Sequence, residues 1–253
     1  MILNLQLKTE SLGKFNIIHE IEFTTQNREF RSVTGYYNKK RISVISTGIG
    51  GSNIDIVINE IDALVNYDFE KNQFRENHKQ INFIRIGTSG SISKNIPINS
   101  FLISKYAIDL NSQLSFYDLN NYKNDKIFKL PYDSEKFYYC IESAEALYKK
   151  FNSISIYSGI TATCNGFYSF QGRKTRIPLK TLINFDDLDK LSYKNHNVTN
   201  LEMETAIIYG LANFLNHNAI SLNAILANRK HDSYSSDPSS VIESLVKYTL
   251  ERI

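Results

Sequence analysis

Two glutamates flank one methionine, Glu202, Met203 and Glu204 in "NLEMETA", where a strand-like run gives way to an apolar helical pattern. Acidic side chains are favoured in the first turn of a helix, where they face unpaired backbone N–H groups, and this accounts for Glu204. Glu202 lies earlier, and strand alternation puts it on the same face as Glu204 with Met203 opposite. Two carboxylates at a strand-to-helix junction also suit the hydroxyl groups of a ligand, because ligands of open α/β sheets sit outside strand ends. Taken alone, the helix-start explanation is the simpler one.

Three further stretches carry chemistry-bearing side chains. "IRIGTSGSI" has Arg85 on an apolar strand and Thr88 and Ser89 in a glycine turn behind it. A cation, hydroxyls and free backbone N–H groups form an oxyanion site, and an arginine in an apolar strand is costly to bury unpaired. "GITATCNGFYSFQGRKTR" ends a strand and opens a loop holding Phe167, Tyr168, Phe170, Gln171 and Arg173. Aromatic faces stack on a flat ring, a glutamine amide matches the donor and acceptor edge of a pyrimidine imide, and an arginine binds its carbonyl oxygen. "ISTGIGGSN" follows a strand and opens a helix, so its glycines either admit a phosphate or sugar or simply pack helix on strand. As a dinucleotide fingerprint it fails, since Asn53 stands at the third glycine position; an oxidoreductase is a remote reading.

These segments need a scaffold. Buried strands are expected at 41–47, 81–87, 100–108, 153–161, 197–203 and 219–227, where apolar β-branched residues cluster. Helical spacing runs from Ser52 to Val65, from Ser134 to Phe151, through Ile207, Ile208, Leu211 and Leu215, and from Asp237, a capping residue before Pro238, to Leu250. Cys140 falls on the apolar face of the second of these. Strands alternating with helices imply a single three-layer α/β domain over 1–253, with polar excursions at 110–130 and 186–199.

Composition excludes several classes. Lysine and arginine total 29 against 26 acidic residues, a net charge of +3, too balanced for nucleic acid or a membrane surface as the main partner. No apolar run approaches a bilayer span and no signal core is visible, so a soluble cytoplasmic protein is expected. Cys140 and Cys164 form no C-x-x-C, and the five histidines show no ligand spacing, so no metal is expected. The hydrolase elbow G-x-S-x-G is absent.

In order, "REF", "STGIGG", "RIGTSG", "GITATCNGFYSFQGR", "NLEMETA" and "ANR" resemble the uridine phosphorylase branch of the nucleoside phosphorylase family, over roughly Ile21 to Arg229. The resemblance implies an α/β/α sandwich whose mixed central sheet is partly barrel-like, assembled as a homodimer or a hexamer built from dimers. It implies reversible phosphorolysis of a nucleoside, with inorganic phosphate as co-substrate and no cofactor. Carried over by position, Arg85 and Thr88 bind phosphate and Arg28 reaches the neighbouring subunit's phosphate. Phe167, Gln171, Arg173 and Arg229 serve the base, and Glu202, Met203 and Glu204 the ribose. Gln171, Arg173 and Arg85 carry the catalysis. Asn228 stands where purine-cleaving relatives often have an aspartate, which favours a pyrimidine.

One family feature is missing. The phosphate-gripping turn G-D-P-x-R would fall at Gln6 to Glu10, where the chain reads "QLKTE". Each lost charge-assisted hydrogen bond is worth roughly 1.5–3 kcal/mol, Glu10 would repel phosphate, and Lys8 would substitute only in the right register. Weakened phosphorolysis, a catalytically silent nucleoside-binding protein or partner subunit of an active paralogue, and hydrolysis by water are the readings, in that order.

Overall fold

The computed structural model describes residues 2–5, 18–118, 127–131, 137–179 and 185–253. In chain order the strands are β1 (Ile2–Leu5), β2 (His19–Asn27), β3 (Phe30–Tyr37), β4 (Lys40–Ser46), β5 (Tyr67–Asp68), β6 (Gln73–Phe74), β7 (Asn82–Ser91) and β8 (Phe101–Asp109). They continue as β9 (Ile127–Pro131), β10 (Phe137–Glu142), β11 (Tyr157–Thr163), β12 (Ser192–Tyr193), β13 (His196–Glu202), β14 (Asn218–Asn228) and β15 (Ser233–Tyr234). The helices are α1 (Gly51–Asn66), α2 (Glu145–Phe151), α3 (Phe185–Lys190), α4 (Thr205–Phe214) and α5 (Pro238–Leu250).

The main sheet is mixed. β13, β11 and β8 run parallel, as do β14, β7, β1 and β4, and the two parallel sets join through the antiparallel β8–β14 pair. A second antiparallel contact, Asn200 opposite Ser91 and Leu201 opposite Gly90, brings β13 back to β7. Five strands, β7, β14, β8, β11 and β13, thus close on themselves, while β2 and β3 extend the open edge as hairpins. The partly barrel-like mixed sheet expected from the resemblance is the one observed.

Helices cover both faces. Ile54, Val57, Ile58 and Ile61 recur at helical spacing on α1 and are buried with Ala206, Ile207 and Leu211 of α4 against Phe83 and Ala107. On the opposite face Leu147 and Phe151 of α2 pack with Leu245, Val246 and Leu250 of α5 against Ile84, Ile86 and Leu222. Asp237 caps α5 as expected, accepting the Ser240 N–H at 3.1 Å.

Two expectations require correction. The segment from Phe137 is not helical until Glu145, because "FYYCIE" forms β10 between β8 and β9. Its apolar positions fit a helical period, but an aromatic run beside an open sheet edge pairs instead. Cys140 is fully buried, as expected, though on a strand. Second, "GTSG" is no turn, since β7 runs unbroken to Ser91 beside β14, which takes up the irregularity between Ile225 and Ala227. The stretch Gln6 to Glu10 lies outside the described residues.

Candidate active site

Arg85, on the inner side of β7, is fully buried. Its Nη2 lies 3.1 Å from Glu202 Oε2 and 2.9 Å from Glu204 Oε2, and Nη1 donates to Asn223 Oδ1 at 2.9 Å. Burial opposes its charge, but Glu202 and Glu204 outweigh that and hold its pKa above the ordinary arginine value. Gly87 is required by this arrangement. A Cβ there would stand 2.5 Å from the Arg85 Cζ, so the guanidinium lies across a bare backbone.

The two glutamates divide their work in the reverse of the helix-start expectation. Glu202 accepts the N–H groups of Glu204 and Thr205 at 3.0 and 2.9 Å and the hydroxyls of Thr205 and Thr163 at 2.8 and 2.6 Å. It is Glu202 that satisfies the start of α4. Glu204 accepts the Gly50 N–H at 2.6 Å, with Arg85 on its other oxygen. Gly50, at φ +96°, sits where an L side chain would be strained, and turns its N–H to that carboxylate. Burial raises the Glu204 pKa above the usual carboxylate value; Arg85 opposes this and Glu202 adds to it.

A cavity of about 380 Å³ adjoins this cluster. It is lined by Thr88, Ser89 and Gly90 of β7 and by Glu202, Met203 and Glu204. Phe167, Gln171 and Arg173 form another part of its wall. Gln171 is buried, its Nε2 donating to the Cys164 carbonyl at 3.4 Å and its Oε1 accepting Arg173 Nη1 at 2.6 Å. The Arg173 guanidinium stacks 3.6 Å from the centre of the Phe167 ring. Burial lowers the Arg173 pKa.

Other expected site residues lie outside the cavity wall. Arg85 stands behind Glu204. Arg229 covers the Phe185 ring at 4.2 Å, its pKa lowered by burial and then by Arg173. Arg28 is exposed at the tip of the β2–β3 hairpin, at φ +52°, and does not line the cavity of its own chain. Asn228 is turned into the protein, donating to the carbonyls of Ser93 and Ile96 at 2.9 and 2.8 Å. Ile49, Leu226, Ala227 and Tyr234 also line the cavity and escape sequence reading. Only Ile49 carries a signal, an isolated apolar residue between glycines that stays 70% exposed.

A family model described as the phosphorylase superfamily matches residues 3–247. The chain belongs to the phosphorylase superfamily. Within the superfamily, it is 34% identical over 206 residues to a uridine phosphorylase of Thermococcus kodakarensis, covering 80% of this chain and 64% of that protein. The chain thus spans slightly less than two thirds of that relative. It is 28% identical to a uridine phosphorylase of Haemophilus influenzae, covering 91% of this chain and 79% of that one. The superfamily fold is shared with a Trypanosoma brucei nucleoside phosphorylase described as having uridine phosphorylase activity. That structure superposes with a TM-score of 0.84 at 23% identity, over 99% of this chain and 92% of that one.

Proposed function

We propose that the chain catalyses reversible phosphorolysis of uridine to uracil and ribose 1-phosphate. The observation that carries this is the convergence of Phe167, Gln171 and Arg173 with Met203, Glu204 and Thr88 on one cavity of about 380 Å³. The uridine phosphorylases among its relatives support the same reading.

In this reading uracil stacks on Phe167 with its imide edge on Gln171 and Arg173. Glu204 accepts the ribose hydroxyls, Met203 packs on the sugar, and Glu202 fixes Arg85 and the start of α4. Phosphate binds beside Thr88, with Arg85 supplying positive potential from behind Glu204 and Arg28 reaching in from the neighbouring subunit. As the glycosidic bond breaks, the sugar becomes cationic and the base anionic, so Glu204 and Arg173 each meet the charge they stabilise best. Asn228 is no acid, and its N–H groups are committed to the Ser93 and Ile96 carbonyls, so it does not protonate a purine ring nitrogen. The enzyme acts as a cytoplasmic homo-oligomer built from dimers and needs only phosphate as co-substrate. Arg229, stacked on Phe185, closes the base end of the site.

The sequence "QLKTE" favours a second reading, uridine binding without turnover. Uracil release from uridine, assayed with and without inorganic phosphate, tests both. Phosphate-dependent release is expected. Release without phosphate would indicate hydrolysis, binding without release the silent protein, and failure to bind millimolar uridine would overturn the site assignment.

A further inference from the structure

Six buried polar side chains run around the inside of the closed five-stranded unit and end at the cavity. Arg85 Nη1 donates to Asn223 Oδ1 at 2.9 Å, and Asn223 Nδ2 donates to Ser104 Oγ at 3.1 Å. Ser104 and Thr161 hydroxyls are 2.5 Å apart, Thr161 donates to Asn200 Oδ1 at 2.9 Å, and Asn200 Nδ2 donates to Ser89 Oγ at 3.0 Å. All but Ser89 are fully buried, and Ser89, 8% exposed, lines the cavity.

With the Asn200 amide as placed, Oδ1 toward Thr161 and Nδ2 toward Ser89, the direction of every link follows. A guanidinium only donates, so Asn223 must present its carbonyl to Arg85 and its NH2 to Ser104. The single Thr161 proton goes to Asn200, so the Ser104 proton goes to Thr161. Ser89 therefore accepts from Asn200 and retains its own O–H as a donor. The chain starts at a cation and points the same way throughout, and aligned hydrogen bonds polarise one another in a dry interior.

Resting on the proposed phosphorolysis, we infer that the Ser89 hydroxyl is a further donor to the phosphate co-substrate, beside Thr88, and that Asn223, Ser104, Thr161 and Asn200 are positioning residues that aim and polarise it. With no arginine or glycine at Gln6 to Glu10, a strengthened hydroxyl takes on part of the anion binding.

Inorganic phosphate alone, titrated by calorimetry, measures the effect without any turnover. Ser89→Ala should weaken phosphate binding about ten-fold or more, as loss of a hydrogen bond to a charged group does, and Ser89→Thr should largely restore it. Thr161→Val keeps shape, touches no ligand and breaks the chain midway. It should weaken phosphate binding several-fold with uridine affinity unchanged, and have no further effect in the Ser89→Ala background. Folding of each variant is confirmed by its thermal transition, and Thr161→Ser serves if Thr161→Val does not fold, with phosphate affinity expected near wild type. Unchanged phosphate affinity in Ser89→Ala, or equal losses for phosphate and uridine in Thr161→Val, would overturn the inference even if uridine is cleaved. Phosphate binding lost with Ser89 in a protein that cleaves no uridine would uphold it while removing the phosphorolysis reading.

Discussion

Glu202 and Glu204 look interchangeable in the sequence, yet their partners differ in kind. Glu204→Gln is expected to lower kcat/KM for uridine by about 10²-fold, the worth of charge-assisted bonds to sugar hydroxyls. Because burial raises the Glu204 pKa, its contribution to stability is present at low pH and lost as pH rises through the folded pKa. At pH 7.5 the amide must turn its NH2 toward either the Gly50 N–H or the Arg85 guanidinium, so Glu204→Gln should lower Tm by several degrees, and an unchanged thermal melt would contradict this. Glu202→Ala should cost more stability still. It removes one carboxylate from buried Arg85 and the acceptor of four donors, three at the start of α4 and one on β11, which costs about 3 kcal/mol and lowers Tm by roughly 10 °C. The sequence marked both carboxylates as a pair, but their division depends on Gly50, 154 positions distant along the chain from Glu204, and no local pattern encodes that.

At the scale of elements, α1 meets the residue just before β14 at a buried His217–Asp62 contact. The Ile81 N–H donates to His217 Nδ1 at 3.2 Å, so the neutral ring must carry its proton on Nε2, 3.1 Å from Asp62. Burial lowers the His217 pKa below 6.5, with Asp62 opposing. A depressed folded pKa gives stability that is complete above 6.5 and lost as pH falls towards the folded value. Urea unfolding at pH 7.5 and 5.5 should show a larger loss for the wild type than for His217→Gln. The strands with continuous apolar runs, β7, β8 and β14, and helices α1, α4 and α5 were legible because burial and period repeat along them. The hairpins were not. The β3–β4 turn uses Asn38 and Lys39, both at positive φ, and the turn before β13 uses Lys194 and Asn195, so glycine never announces them. The run at Phe137 misled because its period suits a helix while its neighbours offer a sheet edge.

At the scale of the whole molecule, the proposed oligomer would add what one chain lacks. Arg28 sits exposed on a hairpin tip away from its own cavity, and the assembled enzyme is expected to supply it across the subunit boundary. Mixing Arg28→Ala and Glu204→Gln chains after unfolding, then refolding together, should recover about a quarter of wild-type activity, because half the dimers are mixed and each has one intact site. Recovery no greater than the sum of the parents would place Arg28 elsewhere. The expectation of this arrangement comes from the resemblance alone, since nothing in the local composition of "TTQNREF" distinguishes a shared arginine from an ordinary turn residue.

Counted with both carboxylates ionised, the buried cluster of Arg85, Glu202 and Glu204 carries one negative charge in excess, with Arg173 across the cavity. A neutral sugar gains little from that surplus, whereas a ring bearing a proton gains a great deal. With both glutamates ionised, the proposed site would discriminate ligands by charge as well as by shape: an inhibitor with a basic nitrogen in place of the ribose ring oxygen should bind more tightly than uridine. Its advantage should vanish at a pH high enough to deprotonate that nitrogen.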